Sequence, residues 1–102
     1  MEYKAEKIKI KGIEFDALTV NLPKTNLLVV ANNNAYFMCG ALDVKVFNQD
    51  HLRDRRVICG KAIGVKTIED LINAPLFEVT SEAIELGIFE GMLVKDALLL
   101  TY

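Results

Sequence analysis

A single histidine, His51, is all that this chain offers to imidazole chemistry. A cysteine hydrolase ordinarily sets an imidazole base beside its nucleophile, so a self-contained catalytic set is hard to assemble here. Cysteine is nearly as scarce: Cys39 and Cys59 are the only two. Two thiols and one imidazole fall short of the four paired ligands of a structural zinc site, so neither a metal nor another cofactor is expected. Two cysteines also make no disulfide framework, and reduced thiols of an intracellular protein are the simpler reading.

Cationic excess is missing too. Twelve Lys and Arg stand against fourteen Asp and Glu, for a net charge of −2. The one basic cluster, Arg53, Arg55 and Arg56, is interrupted by Asp54. Nucleic acid is therefore not an expected partner, because phosphate binding needs clustered positive charge. No apolar run approaches the roughly 18–20 residues that span a bilayer, so no membrane segment is expected. The opening "MEYKAEKIKIKG" has no apolar core of a secretory signal, and a cytoplasmic protein is expected.

What the chain does have is apolar residues, 52% of its 102. That is high for a length suited to one domain spanning residues 1–102. A domain of this size hides only about two-thirds of its unfolded surface. The excess points to a subunit interface, and a homo-oligomer is expected, with Leu98 to Leu100 or the "LLVVA" strand in the contact.

Period-two alternation opens the chain. In "KIKIKGIEF", Ile8, Ile10 and Phe15 alternate with charged residues, which predicts two strands turning at Gly12. Pro23 ends the second, having no N–H for the ladder. The unbroken Leu27–Ala31 run predicts a strand covered on both faces. Asn32, Asn33 and Asn34 suit the next turn, since Asn tolerates positive φ. Tyr36 to Cys39 is the return strand. Asp43 then suits a helix cap, with Val44, Phe47 and His51 or Leu52 on one face and the arginines near its end. "VICGKAIGV" predicts a buried strand. Thr67 with Asp70 caps "IEDLIN", Thr80 or Ser81 caps "SEAIELG", and Gly87 closes it. The last helix, "GMLVKDALLL", carries apolar residues on more than one face. Strands first and helices later predict an α+β domain. It reads as a two-layer sandwich, a mostly antiparallel sheet with short helices packed on one face.

The blocks "VNLPKTNLLVVAN", "YFMCGALDV", "GKAIGVKTIEDLINAPL" and "LGIFEGMLVKDALL" keep their order over most of residues 18–99. With them the chain resembles the YunC-like family of uncharacterised bacterial and archaeal proteins, a domain of unknown function. The resemblance implies a compact two-layer fold and supplies no activity. Two departures stand out: the Asn-rich loop "NNNAY", where relatives carry a glycine, and Cys59, where only a small residue is expected.

Cys39 is the one candidate catalytic residue. A helix beginning near Asp43 would put free N–H groups beside its sulfur, and the backbone at Gly40 and Ala41 would supply oxyanion donors. Asp43 opposes this, because a carboxylate facing the sulfur raises the thiol pKa. Free cysteine is also among the most buried residue types and packs as a small hydrophobe. For ligand binding the candidates are Lys24 and Asn26 in "LPKTN", which with Thr25 suit a small anion, then Gly40, Asp43, and Lys61 in "GKAIG". The leading expectation is a small cytosolic homo-oligomer that binds a small ligand or partner. The alternative is a thiol-dependent hydrolase or transferase using Cys39, with Lys24, Lys61 or a neighbouring subunit's His51 handling the proton.

Overall fold

The computed structural model describes residues 1–40, 44 and 55–102. Strand β1 (Glu2–Ile10) pairs antiparallel with β2 (Ile13–Leu22), and β2 with β3 (Thr25–Ala31). β4 (Ala35–Met38) continues the meander, then pairs in parallel with β5 (Ile58–Lys61). A two-residue β6 (Glu78–Val79) closes a six-stranded sheet in the order β1-β2-β3-β4-β5-β6. Three short helices follow β5 along the chain: α1 (Ile68–Ile72), α2 (Ser81–Glu85) and α3 (Val94–Thr101). The fold is α+β, as expected, with one parallel pair in an otherwise antiparallel sheet.

The turns explain the register. Lys11 and Gly12 both carry positive φ (51° and 82°), the geometry that matches the twist of a two-residue hairpin. Pro23 sets the first φ of the next two-residue turn and Lys24 takes the left-handed φ of 64°, so Leu22 faces Thr25. In the third turn the asparagines act through their side chains, not through positive φ. The Asn32 carboxamide oxygen accepts from the N–H groups of Asn34 and Ala35 (both 2.8 Å). Its nitrogen donates to Thr101 Oγ1 (2.9 Å), and Asn34 Nδ2 donates to the Thr101 carbonyl (2.8 Å). The loop thereby ties the sheet to the end of α3.

One sheet face meets the helices. Phe15, Ala17, Leu28, Val30 and Phe37 pack there against Leu71, Leu76, Ala83, Ile88, Val94, Ala97 and Leu98. β3 is covered less evenly than its apolar run predicts. Leu28 and Val30 are fully buried, while Leu27, Val29 and Ala31 on the opposite face are half-buried. Alternation of side chains across a strand imposes that difference. Likewise α3 buries a single stripe, Val94, Ala97, Leu98 and Thr101, and Leu100 is 51% exposed. Its spacing leaves Leu100 on the solvent side.

The helix ends follow their sequence signals. Thr67 Oγ1 accepts from Asp70 N–H (3.0 Å), and Asp70 Oδ2 accepts from the Lys66 N–H (3.2 Å). Gly87 (φ 93°) closes α2: its N–H reaches the Ile84 carbonyl (3.0 Å) and the Ile88 N–H reaches Ala83 (3.0 Å). That pair of bonds is a Schellman motif. The helix expected from Asp43, with Phe47, His51, Leu52 and Arg53, lies outside the described residues; Arg55 and Arg56 are exposed.

Candidate functional site

Cys39 follows the last residue of β4 and is buried, at 7% exposure. Its N–H donates to the Leu28 carbonyl (3.1 Å), continuing the β3–β4 ladder by one bond. Its side chain then replaces the next ladder partner. The Leu28 N–H donates to Cys39 Sγ (3.5 Å), and the thiol donates to the Asn26 carbonyl (3.7 Å). Among the described residues, these are the β3 backbone groups that lie beyond the end of β4. A thiolate could keep the first bond but not the second, because it has no proton to donate. The niche is thus hydrocarbon-lined with two backbone contacts, and the sulfur is already partnered. Gly40, next in the chain, is exposed, and a side chain there would meet Ile63 Cγ2 at an ordinary 3.5 Å.

Cys59 is also free and fully buried. It lies beside Tyr36 across the parallel β4–β5 pair. Burial pushes its thiol up to about 11, although the hydrogen bond with Tyr36 pulls the other way. Burial, and then the neighbouring sulfur, push the Tyr36 phenol up to about 12. Both groups are neutral at physiological pH, which suits packing.

Lys24 and Asn26 do come together. They line an open cleft of about 500 Å³ with Leu22, Thr25, Val65 and Lys66. The β2–β3 turn forms one wall, and the segment leading into α1 forms the other. Two lysines, a threonine and an asparagine line the space, and among the described residues no carboxylate does. Asp70 accepts from the Lys66 backbone at the α1 cap. Lys66 and Val65 escaped sequence reasoning, since some forty positions separate them from Lys24. Only the approach of the β2–β3 turn to the start of α1 joins them. Lys24 is unusual for its backbone. A non-glycine residue in the left-handed region costs about 1 kcal/mol or more, where glycine or asparagine would cost less.

Lys61 lies outside this lining. Its ammonium pairs with Glu78, its cross-strand neighbour, at 3.1 Å, and sits 5.9 Å from the Phe77 ring centre. Asp43 lies outside the described residues. Among the described residues, no group of three or more Cys, His, Asp or Glu side chains could hold a metal.

Residues 38–100 match the family model described as "Domain of unknown function (DUF1805)". The chain is 51% identical over 92 residues to the "Uncharacterized protein YunC" of Bacillus subtilis (strain 168), covering 90% of each chain. It also resembles a crystal structure of a protein of unknown function from Thermoplasma acidophilum. That likeness has a TM-score of 0.86 and 25% identity, over 99% of this chain and 94% of that one.

Proposed function

This chain belongs to the DUF1805 family of YunC-like proteins, and we propose that it is a cytosolic binding protein for a small carboxylate or phosphate. The ligand sits in the cleft between the β2–β3 turn and Val65–Lys66. The carrying observation is the convergence of Lys24 and Lys66, with Thr25 and Asn26, on an open space that no carboxylate lines among the described residues. Lys24 and Lys66 neutralise the anion, while Thr25 and Asn26 supply directional hydrogen bonds. Leu22 and Val65 flank an apolar portion of the ligand. The two buried thiols, not joined in a disulfide, suit a reducing compartment.

The test is a titration with inorganic phosphate, and separately acetate, followed by amide NMR. The amides of Thr25, Asn26, Val65 and Lys66 are expected to shift together and saturably. Lys24→Gly is expected to weaken the response several-fold while leaving the urea midpoint unchanged or higher. Lys66→Gln is expected to weaken binding as well. Phosphate and acetate that leave these four amides unmoved in the low-millimolar range, an affinity of about −4 kcal/mol, would remove the proposal.

A further inference from the structure

The sheet ends unevenly. β6 is two residues long, whereas β1 runs nine residues and, among the described residues, pairs only with β2. The two-residue Lys11–Gly12 turn sets the hydrogen-bond phase, because such a hairpin closes on a hydrogen-bonded pair, here Ile10 with Ile13. The even-numbered residues of β1 therefore bond to β2. Tyr3, Ala5, Lys7 and Lys9 direct their N–H and C=O groups outward, along an open edge of the kind that accepts another strand.

We propose that the occupant of this edge is β1 of a second copy, antiparallel across a two-fold axis at Ala5. Charge selects that register. In any symmetric pairing that keeps the outward groups in phase, odd residues face odd and even face even. An axis at residue 4 sets Lys4 against Lys4 and Glu2 against Glu6. One at residue 6 sets Glu6 against Glu6, and one at residue 7 sets Lys7 against Lys7. An axis at residue 3 leaves only a short overlap. The axis at Ala5 pairs residues 2–8 of β1 and sets Lys4 opposite Glu6 twice, with Tyr3 opposite Lys7 and Glu2 opposite Ile8. Lys4 and Glu6 already share a face within one chain, with their charged ends 3.5 Å apart, Lys4 exposed and Glu6 half-buried. As non-hydrogen-bonded partners across the axis, with Cα atoms about 4.5 Å apart, the four charges form a closed alternating square. The other lysines do not oppose this arrangement: Lys7 is paired with Asp16 and Lys9 lies opposite Glu14. Such a dimer carries a continuous twelve-stranded sheet. Its interface is narrower than the roughly 1,200–2,000 Å² of a standard complex, so the dimer is concentration-dependent. This surface is independent of the proposed cleft.

Sedimentation velocity over a concentration series tests it. The wild-type protein is expected to shift from monomer to dimer as concentration rises. Lys4→Glu and Glu6→Lys each set like charges opposite one another and are expected to raise the dissociation constant at least tenfold, about 1.4 kcal/mol. The double exchange restores alternation in the same register and is expected to return the constant to within a few-fold of wild type. Ala5→Pro removes an outward N–H while sparing the β1–β2 ladder, and is expected to abolish the dimer with unchanged circular dichroism. Three results would overturn the proposal: a monomer at every concentration up to about 1 mM, a dimer indifferent to the single charge reversals, or a double exchange that fails to restore association.

Discussion

At position 39, a side-chain sulfur takes the place of a carbonyl oxygen. Truncating Cys39 to alanine would leave the Leu28 N–H and the Asn26 carbonyl without their partner. Cys39→Ala is therefore expected to lower stability by about 1–3 kcal/mol, read as a fall in the urea midpoint. The same contacts make the thiol a poor nucleophile. At neutral pH, iodoacetamide is expected to modify Cys39 and Cys59 more slowly than a peptide cysteine, as mass spectrometry can follow. Fast alkylation of Cys39 alone would instead favour the thiol-enzyme alternative.

Cys59 and Tyr36 make a second residue-scale prediction, about pH. Their folded pKa values, about 11 and about 12, lie above the ordinary 9.0 and 10.0. Above pH 9 the unfolded chain releases these protons first, so stability falls as pH rises. The contribution is intact below pH 9 and is lost across the window between the ordinary and raised values. Between pH 8.5 and about 11, wild type is expected to lose about 1–2 kcal/mol more than Cys59→Ala, measured by urea unfolding.

Among the elements, the β5–β6–α2 corner depends on two small groups. Thr80, the buried cap of α2, accepts from the Cys59 N–H (3.3 Å) and donates to the Val57 carbonyl (2.8 Å). It also accepts from the Ala83 N–H (3.4 Å). Thr80→Val keeps the shape but removes these bonds and is expected to cost about 1–3 kcal/mol. At Gly60 an added Cβ would lie 3.0 Å from the Glu78 carbonyl, Leu76 and Val79. Gly60→Ala is expected to cost about 1–3 kcal/mol through overpacking, visible as a lower melting temperature. Gly87→Ala, forced into the left-handed cap of α2, is expected to cost about 1–2 kcal/mol. Thr80 could be read in the sequence as a helix cap. Its bonds to β5 could not, because they depend on two distant segments meeting.

For the whole molecule, salt separates the two proposed surfaces. Anion binding between Lys24 and Lys66 is expected to weaken steadily with added chloride, which screens and competes. β1 pairing, held mainly by backbone bonds, is expected to weaken less, as sedimentation in low and high salt can show. Leu98 to Leu100 and the Leu27–Ala31 strand were the expected contacts from sequence. The structure buries Leu98 in the core, leaves Leu100 exposed, and flanks β3 by β2 and β4, so β3 offers no free strand edge.

Short-range chemistry was written in the chain. The period-two pattern around Ile8, Ile10 and Phe15, the Pro23 stop, the Thr67 and Thr80 caps and the Gly87 closure each depend on residues a few positions apart. Steric and hydrogen-bonding rules act directly at that range. The parallel join of β4 to β5, the partnering of Cys39 with β3, the Lys61–Glu78 pair and the meeting of Lys24 with Lys66 were decided only by tertiary structure. Each brings together segments whose separation along the chain carries no periodicity, and packing of the shared core alone determines which of them become neighbours.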